Sequence, residues 1–152
     1  MTTDVETKIT ESEWEVMRVV WTLKRVTSKE IITILQDKKD WKPATTKTFI
    51  GRLVKKGMLN TEASGKRYLY TAAINEEETL KNLITGFFDN ICTKEVGKTI
   101  GNLISEATLS VDDIILLERI LEEKKKDAVE EVKCNCAPGQ CRCKNYHCMK
   151  HN

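Results

Sequence analysis

Histidine is almost missing from this chain: of 152 residues only His147 and His151 are histidines, both near the C-terminal end. The rest of the sequence offers no acid/base constellation, so an enzyme is the least supported class. Long apolar runs are also lacking. None approaches the roughly 20 residues a membrane span requires. Asp4 and Glu6, with no apolar core behind them, do not make a secretory leader. The expectation is a cytoplasmic protein with no membrane partner. Cysteine is scarce in the body as well, five of the six crowding into Cys134 to Cys148. That excludes a disulfide framework of the secreted kind and points to metal or redox chemistry at one end. No repeat or low-complexity segment is visible, and the length suits one ordinary domain or two small ones.

The net charge of +2 conceals a segregation. Residues 1–74 hold fourteen Lys/Arg against nine Asp/Glu, residues 75–133 hold eight against fourteen, and residues 134–152 hold three with no acid. A basic first half suits a polyanion and an acidic middle does not, so any nucleic-acid contact is expected from the first half.

Hydrophobic periodicity then gives the architecture. Trp14, Met17, Val20, Trp21 and Lys24 fall at helical spacing behind Thr10 and Glu13, a capping box, which predicts a helix over about 11–24. Thr27 and Glu30 repeat the box before a shorter stripe of Ile31, Ile34 and Leu35. Pro43 suits the first turn of a third helix that runs to Lys56, with Gly57 at its stop. The period changes next: Leu59, Tyr68 and Tyr70 lie in β-favouring runs on either side of Ser64 and Gly65, which can turn a hairpin. Three short helices and a hairpin describe a winged helix-turn-helix DNA-binding domain over residues 5–74. Helical patterns resume with Leu80, Leu83, Ile84, Phe87, Phe88 and Ile91, then Val96, Ile100, Leu103 and Ile104, then a helix capped by Ser110 and Asp113. So much apolar surface on so few helices wants a partner. Residues 75–127 are therefore read as a helical dimerisation domain and 128–152 as a cysteine-rich metal-binding tail. The fold class is mainly α with a small β-wing.

On the third helix, a turn of 100° per residue gathers Thr46, Phe49, Ile50 and Leu53 on one side. Ala44, Thr48, Gly51, Arg52 and Lys55 fall on the other, with Thr45 and Lys47 on the flanks. One side is core; the other is small, hydroxylated or cationic and fits a major-groove reader. Ala44, Thr45 and Thr48 are compact enough for base edges, Arg52 can make a bidentate contact to guanine or bind phosphate, and Lys47 and Lys55 would hold phosphates. Lys66 and Arg67 at the hairpin tip form the wing. Gly51 costs about 1 kcal/mol relative to Ala inside a helix, so it marks either close approach to DNA or an unselected surface position. Trp14 and Trp21 are packing residues.

In the tail, CNCAPGQCRC holds Cys134, Cys136, Cys141 and Cys143. Residues two apart in an extended strand point the same way, and Pro138-Gly139 occupy the centre of a type II turn that folds one pair on the other. Four thiolates from one hairpin suit tetrahedral Zn(II), and thiolate softness suits Cu(I) equally. A zinc site that only stabilises the tail, or a pair of disulfides, are the alternatives. One zinc ion and two cuprous ions give four thiolates the same formal charge, so a metal exchange would act through geometry. His147, Cys148, Met149 and His151 are either accessory copper ligands or a disordered end. Cys92, near the end of the fourth helix, reads as a small buried hydrophobe.

EWEVMRVVW, WKPATTKTFIGRLVKKGML and YLYTAAI, within residues 5–126, make the chain resemble the BlaI/MecI penicillinase repressor family, and CNCAPGQCRC makes it resemble the CopY-type copper-responsive branch. The resemblance implies a homodimer on a palindromic operator of double-stranded DNA. It implies that the zinc-loaded form is bound and that Cu(I), delivered by a copper chaperone, releases it from copper-export genes. It also implies that Cys134, Cys136, Cys141 and Cys143 are the metal ligands. Two departures stand out. Lys42 replaces a Ser that would cap the reading helix better. Asn102-Leu103 stands where the penicillinase branch is cleaved at an Asn-Phe bond, which favours metal over proteolytic induction. The rivals are a protease-induced repressor of antibiotic-resistance genes and a metal buffer or chaperone.

Overall fold

The computed structural model describes residues 8–142. The chain divides into two compact units, Met1–Lys81 and Asn82–Asn152.

The first unit opens with helix α1, Glu11–Leu23, whose capping box is made in both directions: Thr10 N–H donates to Glu13 Oε1 at 3.0 Å and Glu13 N–H to Thr10 Oγ1 at 3.1 Å. These bonds satisfy two of the donors every helix start leaves over. A two-residue strand β1, Val26–Thr27, leads into α2, Ser28–Lys39, where Thr27 and Glu30 repeat the box. Helix α3, Pro43–Lys55, starts on proline without a side-chain cap from Lys42, and Gly57 beyond its end takes a φ of 80°. Strands β2, Leu59–Ser64, and β3, Arg67–Ala72, form the hairpin. The turn sits at Gly65-Lys66, with Ser64 already paired to Arg67; Gly65 at a φ of 64° supplies the positive angle that tight hairpins need.

The sheet order is β1-β3-β2, all antiparallel, with Val26 opposite Tyr70. Strand β1 leaves no mark in the sequence pattern because two residues carry no alternation; only the partner strand makes them a strand. Val16, Met17, Val20, Ile31, Leu35, Leu53 and Val26 are essentially inaccessible and form one core with Ile50, Met58 and Leu59. Each such side chain contributes about 1.5–3 kcal/mol on burial. Truncating Leu53 to alanine would cost roughly 2–5 kcal/mol and loosen the helix that carries the outer cationic face. Trp14 and Trp21 pack edge to face at 5.3 Å, and Trp21 Nε1 donates to the carbonyl of Ile74 at 3.0 Å. Both tryptophans are packing residues, as expected.

Helix α4, Glu76–Phe88, runs from the first unit into the second; it stops three residues short of Ile91, where the apolar stripe alone would have ended it. A 3-10 turn at Thr93–Glu95 leads into α5, Val96–Glu106, and α6, Val111–Lys125, begins on the expected Ser110–Asp113 box. None of the described residues of α4, α5 or α6 is buried. Phe87, Leu103, Ile120 and Leu121 lie about half exposed. Among the described residues no helix is long and apolar enough to cross a membrane.

Candidate nucleic-acid interface and thiol centre

The two sides of α3 separate as its winding requires. Thr46, Ile50 and Leu53 are buried and Phe49 is half-buried, whereas Ala44, Lys47, Thr48, Gly51, Arg52 and Lys55 are exposed and Thr45 is half-buried. The Thr48 hydroxyl donates to the Ala44 carbonyl at 3.0 Å. Arg52 lies over the Phe49 ring at 5.7 Å from its centroid, and Phe49 leans on Trp41 at 4.9 Å. A guanidinium resting on an aromatic face is partly ordered before any ligand arrives. Lys66 and Arg67 are exposed at the hairpin tip.

Between α3 and the hairpin lies a cleft of about 530 Å³, lined by Ser28, Lys47, Ile50, Gly51, Val54, Thr61, Tyr68 and Tyr70. Helix and wing thus share one concave surface. A Cβ built on Gly51 meets nothing within 4 Å, so the chain's own packing does not require glycine there.

An ion pair anchors this helix from behind. Lys56 Nζ lies 2.6 Å from Oε1 of the buried Glu13. Burial alone would raise the Glu13 carboxyl; the hydrogen bonds from Lys56 and from the Thr10 amide, with the lysine's charge, outweigh it and hold the group below its ordinary 4.5. Sequence reading saw Glu13 only as a capping residue. The signal for its second role was an acid on the core side of an amphipathic helix, whose cation, 43 residues away, local spacing cannot reveal.

In the second unit the expected turn forms at Pro138-Gly139: Gly139 has a φ of 91°, and Gln140 N–H donates to the Ala137 carbonyl at 3.0 Å. Among the described residues the flanking segments are not strands. Residues 132–137 are irregular, and the sulfurs are aligned instead by a knuckle in which Cys136 N–H donates to Cys134 Sγ at 3.4 Å. Cys134 and Cys141 sulfurs are 3.6 Å apart. Cys143, His147, Cys148, Met149 and His151 lie outside the described residues.

The structure brings Cys92 to these sulfurs. Cys92 is buried, as expected of a small hydrophobe, but its Sγ is 3.5 Å from that of Cys134. The ligand atoms of Cys92, Cys134, Cys136 and Cys141 all lie within 4.8 Å of one another. Cys134 and Cys141 have further partners besides these. Zn–S bonds near 2.3 Å place the sulfurs of a tetrahedral site about 3.8 Å apart, so the set fits a soft four-thiolate metal centre. Burial, then hydrogen bonds from Cys92 and Cys141, pushes the Cys136 thiol up to about 11. Packed thiols of this kind resist ionising together unless a cation balances them.

Residues 9–123 match the family described as Penicillinase repressor. A Latilactobacillus sakei protein, described as an uncharacterized 16.5 kDa protein in the ptsI 3' region, is 47% identical over 136 residues, covering 90% of this chain and 93% of that one. The methicillin resistance regulatory protein MecI of Staphylococcus aureus is 31% identical over 117 residues, covering 77% and 95%. The solved Bacillus licheniformis BlaI, a monomeric form in complex with the blaP half-operator, is 37% identical over 47% of this chain and 87% of that one, with a TM-score of 0.43.

Proposed function

The chain belongs to the penicillinase repressor family, so it is a DNA-binding transcriptional repressor and not an enzyme, and from that premise we propose a repressor whose operator affinity is set by metal held on its thiols. The observation that carries this reading is the convergence of the Cys134, Cys136 and Cys141 sulfurs into one cluster. Nothing in DNA binding asks for such a cluster, and its softness selects Zn(II) or Cu(I) over hard cations.

In this reading Ala44, Thr45, Thr48 and Arg52 face base edges in the major groove, Lys47 and Lys55 hold phosphates, and Lys66 and Arg67 extend the contact from the wing. The half-exposed apolar side chains of α4, α5 and α6 pair two copies into a homodimer, and a palindromic operator mirrors that symmetry. The working parts are then residues 5–74 for reading, 75–127 for pairing and 128–152 for sensing, the last with Cys134, Cys136, Cys141 and Cys143. The zinc-loaded dimer holds the operator of copper-export genes in the reducing cytoplasm. Cu(I), brought by a copper chaperone, releases it. A bound soft cation supplies the positive charge that lets packed thiols ionise; the chain supplies the sulfurs, the turn at Pro138-Gly139 and the connection to the helices.

A band-shift titration tests this with the zinc-loaded chain on candidate operator DNA, under reducing conditions. Addition of Cu(I) is expected to release the DNA, and Cys136→Ser to retain part of the DNA binding while blunting that release. DNA binding indifferent to Cu(I) would remove the copper reading and leave the repressor.

A further inference from the structure

Cys92 does not pack as a buried hydrophobic cysteine should. Such a residue earns its burial against aliphatic or aromatic neighbours. The cluster around Cys92 is made of sulfur: Cys134 is its other buried member, and the partly buried side chains packed on the pair are Cys136 and Cys141. Four sulfur atoms gathered within 4.8 Å of one another gain little from dispersion alone, whereas a soft cation gives the arrangement a reason.

The contacts around the cluster hold it in register. Thr93 N–H donates to the Asn135 side chain at 3.2 Å and the Thr93 hydroxyl donates to the Lys133 carbonyl. Lys94 Nζ meets Glu131 at 2.8 Å and the Val132 carbonyl at 3.1 Å. Three consecutive residues, 92–94, therefore grip the segment 131–135. The grip places the Cys92 sulfur beside the sulfur of Cys134, 42 residues away in sequence.

We propose that Cys92 is itself a ligand of the metal centre, so that the site closes between the α4–α5 connection and the tail rather than within the tail alone. This rests on the metal-responsive reading given above and deepens it. Of the four clustered sulfurs, Cys92 alone lies outside 134–141, so its bond is the one that ties metal occupancy to the helices. A centre built only from the tail could fill or empty with no covalent consequence for α5. One that includes Cys92 closes a long loop of chain, and the start of α5 is held or freed as the centre changes its number of sulfurs.

The test uses the full-length chain, with Co(II) as an optical stand-in for zinc. In the Cys143→Ser variant, four thiolates remain if Cys92 ligates, and the cobalt complex is expected to keep a four-sulfur spectrum. Adding Cys92→Ser to that variant should lower the sulfur-to-cobalt absorption by about a quarter, as one of four thiolates is lost. It should also weaken zinc binding at least tenfold against a competing chelator. Circular dichroism checks that both variants keep their helices. A measurement on the unmodified chain needs no variant: zinc should protect Cys92 from alkylation, mapped by peptide mass. A three-sulfur spectrum already in Cys143→Ser, an unchanged spectrum in the double variant, or alkylation of Cys92 independent of zinc would overturn the inference while leaving a tail-only centre intact. A chain that takes up no cobalt on its thiols at all would remove the metal-response reading as well.

Discussion

Lys56 Nζ donates to Glu13 Oε1 across 2.6 Å, joining the residue that follows α3 to the first turn of α1. The carboxylate is buried and the ammonium mostly so. Helix α3 is therefore held at its C-terminal end by an ion pair, while its N-terminal end at Lys42 has no side-chain cap.

Replacing Lys56 with methionine is expected to destabilise the chain by about 2–3 kcal/mol at neutral pH, because a buried carboxylate loses its cation. Glu13 titrates below its ordinary 4.5 in the folded chain, so the pair's contribution is complete above that value and is lost as pH falls through the folded one. Denaturant melts of the two proteins should diverge at neutral pH and approach one another in acid. An equal gap at both would show that the ion pair is not the cause.

Gly51 separates stability from recognition. An added methyl meets nothing within the chain, so Gly51→Ala should stabilise α3 by about 0.5–1 kcal/mol. If DNA approaches this face closely, the same variant loses operator affinity. A more stable variant with unchanged affinity would make Gly51 an ordinary surface position.

Lys47 and Arg52 should fail differently. Lys47→Ala is expected to weaken all DNA alike and to flatten the dependence of log K on log salt by about 0.9, the share of one phosphate. Arg52→Ala should cost about 1–3 kcal/mol on operator DNA and little on random DNA. Filter binding over a salt series resolves the two patterns. Equal losses on both DNAs for Arg52→Ala would reassign it to the backbone.

Leu103, more than half exposed on α5, is a direct probe of pairing. Leu103→Asp places a charge on the surface proposed to meet a second copy, and sedimentation equilibrium should show the dimer weakened by at least tenfold. An unchanged dimer would put the pairing surface elsewhere.

What the sequence made legible was what repeats locally. Thr10–Glu13, Thr27–Glu30 and Ser110–Asp113 announce three helix starts because a capping box is complete within four residues, and Pro43 and Gly57 punctuate α3 for the same reason. The inner and outer sides of α3 follow from winding alone. Three features lay out of reach because their partners are distant in the chain: β1, a strand only by virtue of Tyr70 and Leu69 across from it; the Glu13–Lys56 pair; and Cys92, placed among the tail sulfurs by contacts 40 residues away. The tail's own thiols were legible from spacing and turn chemistry, although a knuckle rather than a strand aligns them.

The tryptophans of this chain, Trp14, Trp21 and Trp41, all belong to the unit that ends at Lys81, and every cysteine belongs to the unit that begins at Asn82. The molecule therefore carries two optical channels that do not overlap in origin. Indole emission reports on the first unit, where the Trp21 ring is tethered to the Ile74 carbonyl just ahead of α4. Metal–thiolate absorption reports on the sulfurs. Any shift of emission during a metal titration of the unlabelled, DNA-free protein is then a direct record of communication between the halves, and its size for zinc against Cu(I) ranks the two signals without a single engineered probe.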